Sequence, residues 1–574
     1  MFQKRIWAII GVLLVVTLLL GSCAKKTTQS VTPPAKEEPK YGGTFVGAIT
    51  ADVSTFDDTL IANSGLLWWV MVTHDELLIG DWEKGSQGTG QASYLIRGTF
   101  FPELEVGNLA ESWEIPDDTS LIYRIRKGVR FQDKPPVNGR EMNANDVVFS
   151  LNRLFTAPMS QFYVSYRQLL VSITASDERT VVVKTTPGNV GILLQFTGQS
   201  GQIIPKEVVD KYGDMRDWRN VVGTGPFILT DYVPSSSLSY IRNPDYWMKD
   251  VLHPQNQLPY LDRMSYLIIL DISTRMAAMR TGKIDWMMNV GWEDRNSLKK
   301  TNPELKESKY LEAAHQNVIF MRIGKPELPF KDIRVRRALA MAIDREAITN
   351  LYYGGNADIF STPVAPFPEF ADLFVPLDKM PTDVQENYKY DPEKAKQLLA
   401  EAGYPTGFKT EIICPLPKAD LLAIVKNYWS RIGVDLKLDI REQAVFNSIS
   451  QSRKHNEMSI FAMPSVAPFQ MQTFRPENLY NQSMIDDQRC NEAFKIVSQN
   501  ITTNNAKVVE VLKGIYPYIL SQCWYIETPD PYLYAIWQPW IKGYGGEFTV
   551  GYDSYLNFQR WIWCDQQLKK SMGR

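Results

Sequence analysis

The stretch Phe330-Lys331-Asp332-Ile333-Arg334-Val335-Arg336-Arg337-Ala338-Leu339, running on to Ala342-Ile343-Asp344-Arg345-Glu346-Ala347-Ile348, reads as the head of a helix. That helix is predicted from about Val335 to Tyr353 and is stopped by Gly354-Gly355. Its basic run Arg334, Arg336, Arg337 reads as a solvated face or as ion-pair partners, not as an anion site. Downstream, Asp391 as N-cap and Pro392 at the first helical position open a helix that ends at Gly403. Ala395, Leu398, Leu399 and Ala402 fall on one face of it. Upstream, Tyr41–Ile49 alternates toward a strand, and so does Ile122–Val129 with a solvent-facing side. Asn143-Ala144-Asn145-Asp146 caps a helix with Val147, Val148, Leu151 and Leu154 on its apolar face. Val181–Val183 is a short buried strand, and Gly223-Thr224-Gly225-Pro226-Phe227 is a tight turn into another. Ile268–Ala278 passes from strand to helix, and Gly282-Lys283-Ile284-Asp285 returns to the sheet. Strands and helices alternate, which predicts α/β architecture in more than one lobe.

The chain has 574 residues, with 62 Lys plus Arg against 64 Asp plus Glu and a net charge of −2. A nucleic-acid binder would show a basic excess, so that class is disfavoured. Hydrophobic residues make up 44%, and 15 Trp, 27 Tyr and 25 Phe are spread along the chain, enough for a real core and against extended disorder. The glycine-rich Gly85–Gly90 lacks the Gly-Lys-Ser/Thr of a phosphate cradle and reads as a loop.

The N-terminus decides the compartment. Lys4 and Arg5 precede an apolar run from Ile6 to Leu20, short for a spanning helix and right for a secretory signal, which meets Leu20-Gly21-Ser22-Cys23. This resembles a bacterial lipoprotein signal, in which the cysteine takes a diacylglyceryl group and becomes the mature N-terminus. Residues 1–22 are the expected signal and Cys23 the expected lipid attachment, because acyl chains on one cysteine anchor stably where a single chain is marginal. Removing residues 1–22 takes away two positive charges and moves the net charge from −2 to −4. Residues 23–40, poor in apolar side chains, read as a flexible tether. Cys414, Cys490, Cys523 and Cys564 remain: one or two disulfides, or four buried free thiols, fit equally, and no C-x-x-C spacing suggests metal.

Several blocks in this order resemble the solute-binding proteins of peptide and nickel ABC transporters, the extracellular solute-binding protein family 5. They are Leu109-Ala110-Glu111-Ser112-Trp113, Arg126–Phe131, Asn145–Ser150, Val222–Phe227, Arg242-Asn243-Pro244-Asp245-Tyr246-Trp247, the Phe330–Ile348 stretch, Tyr390–Ala395 and Ile432-Gly433-Val434. The resemblance covers about Tyr41 to the end. It implies a large bilobal, type II periplasmic-binding-protein-like α/β fold with an additional inserted domain. The expected division is a discontinuous lobe I (41–80, 223–305 and 525–574), an inserted domain II (81–222) and a lobe III (306–524). It also implies a small-molecule or peptide-like solute, permease and ATPase partners, a membrane contact through the lipid, and no cofactor. Closure on a micromolar solute would be driven by about 8 kcal/mol.

By the same resemblance the ligand site draws on Ala62, Asn63 and Ser64, on Val364-Ala365-Pro366-Phe367, and on Phe461 to Val466, with Met463 and Pro464 among them. Trp292 is a further aromatic candidate, although core packing accounts for each aromatic equally well. Dipeptide and oligopeptide binders place an aspartate in the third stretch to meet the ligand's ammonium. Here Phe461-Ala462-Met463-Pro464-Ser465-Val466-Ala467-Pro468-Phe469 holds no acid. A buried ammonium without a carboxylate costs several kcal/mol, so a less charged, modified or N-blocked ligand is expected. His74, His253, His315 and His455 show no metal-binding spacing. A secreted hydrolase is the alternative from the enzyme class, but Gly-x-Ser-x-Gly and His-Glu-x-x-His are absent. A sensory lipoprotein using the same cleft is the third reading.

Overall fold

The computed structural model describes residues 37–61, 68–95, 101–465, 469–552 and 556–574. Cys23, Ala62, Asn63, Ser64 and Val466, with the signal and most of the tether, lie outside them.

Three sheets organise the chain. The first has seven strands in the order Lys306–Tyr310, Leu533–Trp537, Trp286–Val290, Thr44–Ile49, Arg263–Ile268, Ser237–Arg242 and Phe227–Val233. Thr44–Ile49 runs parallel to Arg263–Ile268, with Thr44 opposite Arg263 and Ile49 opposite Ile268. Such a pairing between distant segments makes this lobe discontinuous. The second sheet has five strands: Asp435–Arg441, Lys409–Pro415, Met458–Pro464, Ala314–Met321 and Tyr525–Glu527. The third is an antiparallel four-stranded sheet, Ala110–Asp117, Ser120–Ile125, Thr180–Thr185 and Leu170–Asp177. Its buried Leu121, Tyr123, Val181 and Val183 pack on Val147, Leu151 and Leu154 of the helix Ala144–Thr156. Asn143 and Asp146 close a capping box at that helix's start, as the sequence pattern requires.

Two strands of the large sheets fall outside the division drawn from sequence. Lys306–Tyr310, assigned to lobe III, pairs with Leu533–Trp537 in the first sheet. Tyr525–Glu527, assigned to lobe I, pairs with Val318–Phe320 in the second. Strand partners, not chain order, set membership, so the chain crosses between the two sheets at 311–313 and again at 528–532.

The predicted helix 335–353 is broken. It runs Ile333–Met341, then re-forms as Arg345–Ala347 and a wider turn over Ile348–Tyr352. The cause is Asp344, whose carboxylate accepts from Ala347 N at 2.9 Å and starts a new cap. The three arginines also separate. Arg334 pairs with Asp332 at 2.6 Å and Arg337 with Glu386 at 2.8 Å, both accessible. Arg336 is buried and donates to the carbonyls of Gln522, Phe330 and Lys331. It is neither a solvated residue nor half of an ion pair, but a clamp on loop backbone. Cys414, Cys490, Cys523 and Cys564 are all free and buried.

Candidate ligand-binding site

The five-stranded sheet has two unlike faces, and pairing register tells which side chains share one. One face carries Ile319, Met321, Ile412, Met458 and Ile460 against the helices Ile333–Met341, Pro392–Glu401 and Ala419–Ser430. Val318 and Phe320 point the other way, into a cluster that also contains Val364, Phe367, Met463 and Tyr525 and has Phe461 packed against it. Directly opposed residues of an antiparallel pair share a face. Val318 opposes both Phe461 and Glu527, and His315 opposes Met463 across a register shift. His315, Phe461, Met463 and Glu527 therefore lie on the inner face, turned from the helices.

Two of the segments singled out from sequence meet there. Ala365 N donates to Ser465 O at 3.2 Å, and Ser465 N to Ala313 O at 3.0 Å, which ties 364–367, the end of Met458–Pro464 and a crossing strand together. Val364, Phe367 and Met463 are buried, while Phe461 and Pro464 are half-buried. Phe461 has Phe446 and Tyr480 at ring-centroid distances of 6.4 and 6.0 Å. Trp292 is elsewhere. It begins the helix Trp292–Thr301, packs beside the cluster of Ala48, Met279 and Tyr534, and closes on Gly354, where an added Cβ would come within 2.8 Å of its ring.

Polar groups outside the ligand-site candidates named from sequence sit at the base of this wall. His315 is fully buried, with no hydrogen-bond partner for either ring nitrogen, and burial pushes its pKa down to about 3, so it is neutral. The nearest carboxylate oxygen, from Asp530, is 3.9 Å away. Glu527 accepts from Ser361 N (2.7 Å), Ser361 Oγ (2.9 Å), Thr362 Oγ1 (3.1 Å) and Tyr388 OH (2.8 Å). The signal for these acids was their place in the aromatic-rich run Trp524–Trp537, where a charged residue has to find partners inside. Ser465 Oγ is buried without a partner as well. The wall is thus apolar and aromatic with a few polar atoms, the usual character of a small-molecule site. Among the described residues no group of three or more His, Cys, Asp or Glu is placed to hold a metal ion.

The sequence profile of "Bacterial extracellular solute-binding proteins, family 5 Middle" matches residues 105–481. The chain belongs to this family. It is 28% identical over 483 residues to heme-binding protein A of Haemophilus influenzae, covering 78% of this chain and 82% of that protein. It is 27% identical over 374 residues to the dipeptide-binding protein of Escherichia coli, covering 61% of this chain and 66% of that one. Among solved structures, HbpA2 of Haemophilus parasuis superposes with a TM-score of 0.72 at 22% identity, covering 91% of this chain and all of that one. Helicobacter pylori DppA in complex with the peptide STSA gives 0.66 at 22% identity, covering 92% and 99%. The fold is the bilobal, type II periplasmic-binding-protein fold. This family 5 member is a substrate-binding protein of the ABC-transporter kind.

Proposed function

We propose that the protein is a lipid-anchored extracytoplasmic receptor, held at the cell envelope through Cys23 and a tether over 23–40. It takes a peptide-like or other small organic solute between its lobes and hands it to a permease driven by cytoplasmic ATPases. The observation that carries the solute class is the wall of Val364, Phe367, Phe461 and Met463, with no acidic residue from Phe461 to Ser465. The carboxylate on the same sheet face, Glu527, already accepts four hydrogen bonds, so its lone pairs are taken. A solute without a free ammonium, such as an N-blocked or modified peptide, suits this wall better than an ordinary dipeptide. The curated relatives carry names as different as heme-binding, dipeptide-binding and glutathione-binding protein, which leaves the wall chemistry as the guide.

A thermal-shift panel of free dipeptides, their N-acetylated forms, glycans and metal chelates tests this. A solute at a thousandfold excess over its Kd should stabilise the folded protein by about 4 kcal/mol, a rise of several degrees. N-acetylated peptides are expected to outperform their free-amine parents, and submicromolar binding of free dipeptides would overturn the proposed solute class. The anchor has its own test. Cys23→Ser should move the protein from the membrane to the soluble fraction of cells, and retention after signal cleavage would refute it.

A further inference from the structure

Ser361 Oγ lies 2.9 Å from Glu527 Oε1 and 3.1 Å from Asp530 Oδ2. A serine hydroxyl has one hydrogen and can donate to only one carboxylate. Were both acids ionised, one of these contacts would set lone pair against lone pair. The donors decide where the missing hydrogen is. Glu527 also receives Ser361 N–H, the Thr362 hydroxyl and the Tyr388 hydroxyl, a set that favours a carboxylate. Thr362 Oγ1 also lies 3.3 Å from Tyr525 OH. Asp530 has the Ser361 hydroxyl at hydrogen-bond distance and His315, neutral, at 3.9 Å.

We infer that Asp530 carries a proton which it donates to Ser361 Oγ, while Ser361 donates to Glu527, so that one proton is held at the crossing between the two sheets. Asp530 stands in the middle of the crossing 528–532, and its strand partner is Asp358, a like charge directly opposite. No cation donates to either carboxylate among the described residues. Arg345 gives its Nε to the Glu527 carbonyl at 2.8 Å, and Lys418, whose charge is felt at Asp530, gives its ammonium to Asn317 Oδ1 at 2.6 Å; Tyr353 and Tyr532 also face Asp530. Glu312 adds further negative potential at Asp530, and Tyr388 and Tyr525 face Glu527. Burial first, then the neighbouring acid, raises Asp530 well above the ordinary carboxylate range; burial raises Glu527 too, while the Ser361, Thr362 and Tyr388 donors pull it back down. Losing the proton leaves two buried anions around one hydroxyl, which weakens the joint where both crossing strands meet.

The sign follows from linkage. The folded protein keeps a proton that the unfolded chain releases at an ordinary carboxyl pKa of about 4. Stability from this site is therefore full below that value and declines as pH rises, through 7 and beyond. The test compares denaturant unfolding of the whole protein with that of Asp530→Asn, whose amide N–H₂ can donate to Ser361 as the acid O–H does. Between pH 5 and 7 the ratio of the two unfolding constants should shift by about tenfold per pH unit. Parallel curves would overturn the inference. Should D530N not fold, aspartate-labelled infrared spectra of native protein and Ser361→Ala read the same proton. The labelled protonated-acid band is expected to move when its acceptor is removed, and a band that does not move, or one that follows glutamate labelling instead, refutes the assignment.

Discussion

Replacing Arg560 with leucine is expected to destabilise the protein by about 3–5 kcal/mol. Arg560 Nη1 donates to Asp75 Oδ1 at 3.0 Å and to Tyr246 OH at 2.9 Å. The two charged side chains are 2% and 0% exposed. Asp75 also accepts from Thr224 Oγ1, Tyr246 OH and Trp247 Nε1, each at 3.2 Å. Three stretches far apart in sequence, around 75, 224–247 and 560, thus converge on one carboxylate. Removing the guanidinium leaves that carboxylate buried with neutral donors alone. The accessible pair Arg124–Glu114, at 3.1 Å with 42% and 53% of its side chains exposed, is the control, and breaking it should cost under about 1 kcal/mol. Denaturant midpoints at constant m-value measure both. The double variant Arg560→Leu with Asp75→Asn should recover part of the loss, because the unpaired charge goes with its partner. A single R560L as mild as the surface control would show that the burial of this pair is not what holds the three stretches together.

What sequence could say about this molecule was mostly local. The Asn143–Asp146 capping box, the Asp391-Pro392 helix start and the Gly-Thr-Gly-Pro turn each depend on residues within a few positions of one another, and each is where the pattern places it. Asp344 was legible too, since an aspartate three residues before Ala347 is a cap signal, but a continuous helix pattern across it masked the break. Strand membership was not legible. Lys306–Tyr310 and Tyr525–Glu527 join sheets through partners more than two hundred residues away, and no local pattern encodes that choice. The candidate site divides the same way. Val364, Phe367, Phe461 and Met463 were reachable through the resemblance; Phe461 and Met463 lie on one sheet face, and Val364 and Phe367 belong to the apolar cluster packed there. Trp292 was selected as an aromatic just after the predicted strand Ile284–Val290, and an aromatic there serves equally to cover Gly354. His315 was read as a lone histidine, and its significance comes from the register that sets it opposite Met463 and from the crossing strand that brings Asp530 near.

Gly225→Ala should be strongly damaging at the turn joining the inserted segment to the first sheet. A Cβ built there would lie 2.6 Å from Thr73 C, 2.7 Å from His74 N and 2.9 Å from Thr73 O. These are backbone atoms, so no rotamer change relieves the clash, and one segment must move off the other. That movement would strain Gly225 N to Thr73 O (3.0 Å), Phe227 N to Val72 O (3.1 Å) and the Gln132 amide on Thr73 O (3.1 Å). Overpacking of this kind costs about 1–3 kcal/mol before any hydrogen bond is lost, and each buried bond broken adds about 1–3 kcal/mol. Gly514 supplies the opposite case. It lies inside the helix Asn505–Ser521, and an added Cβ meets nothing within 4 Å. There the same methyl group only narrows the unfolded ensemble and improves helix propensity, so Gly514→Ala should stabilise by about 0.5–1 kcal/mol. The two substitutions are chemically identical, and their thermal midpoints should move in opposite directions. Equal shifts would mean that the close approach at 73–225 is absent in solution, and with it the joint that fixes the inserted segment's start and end against the seven-stranded sheet.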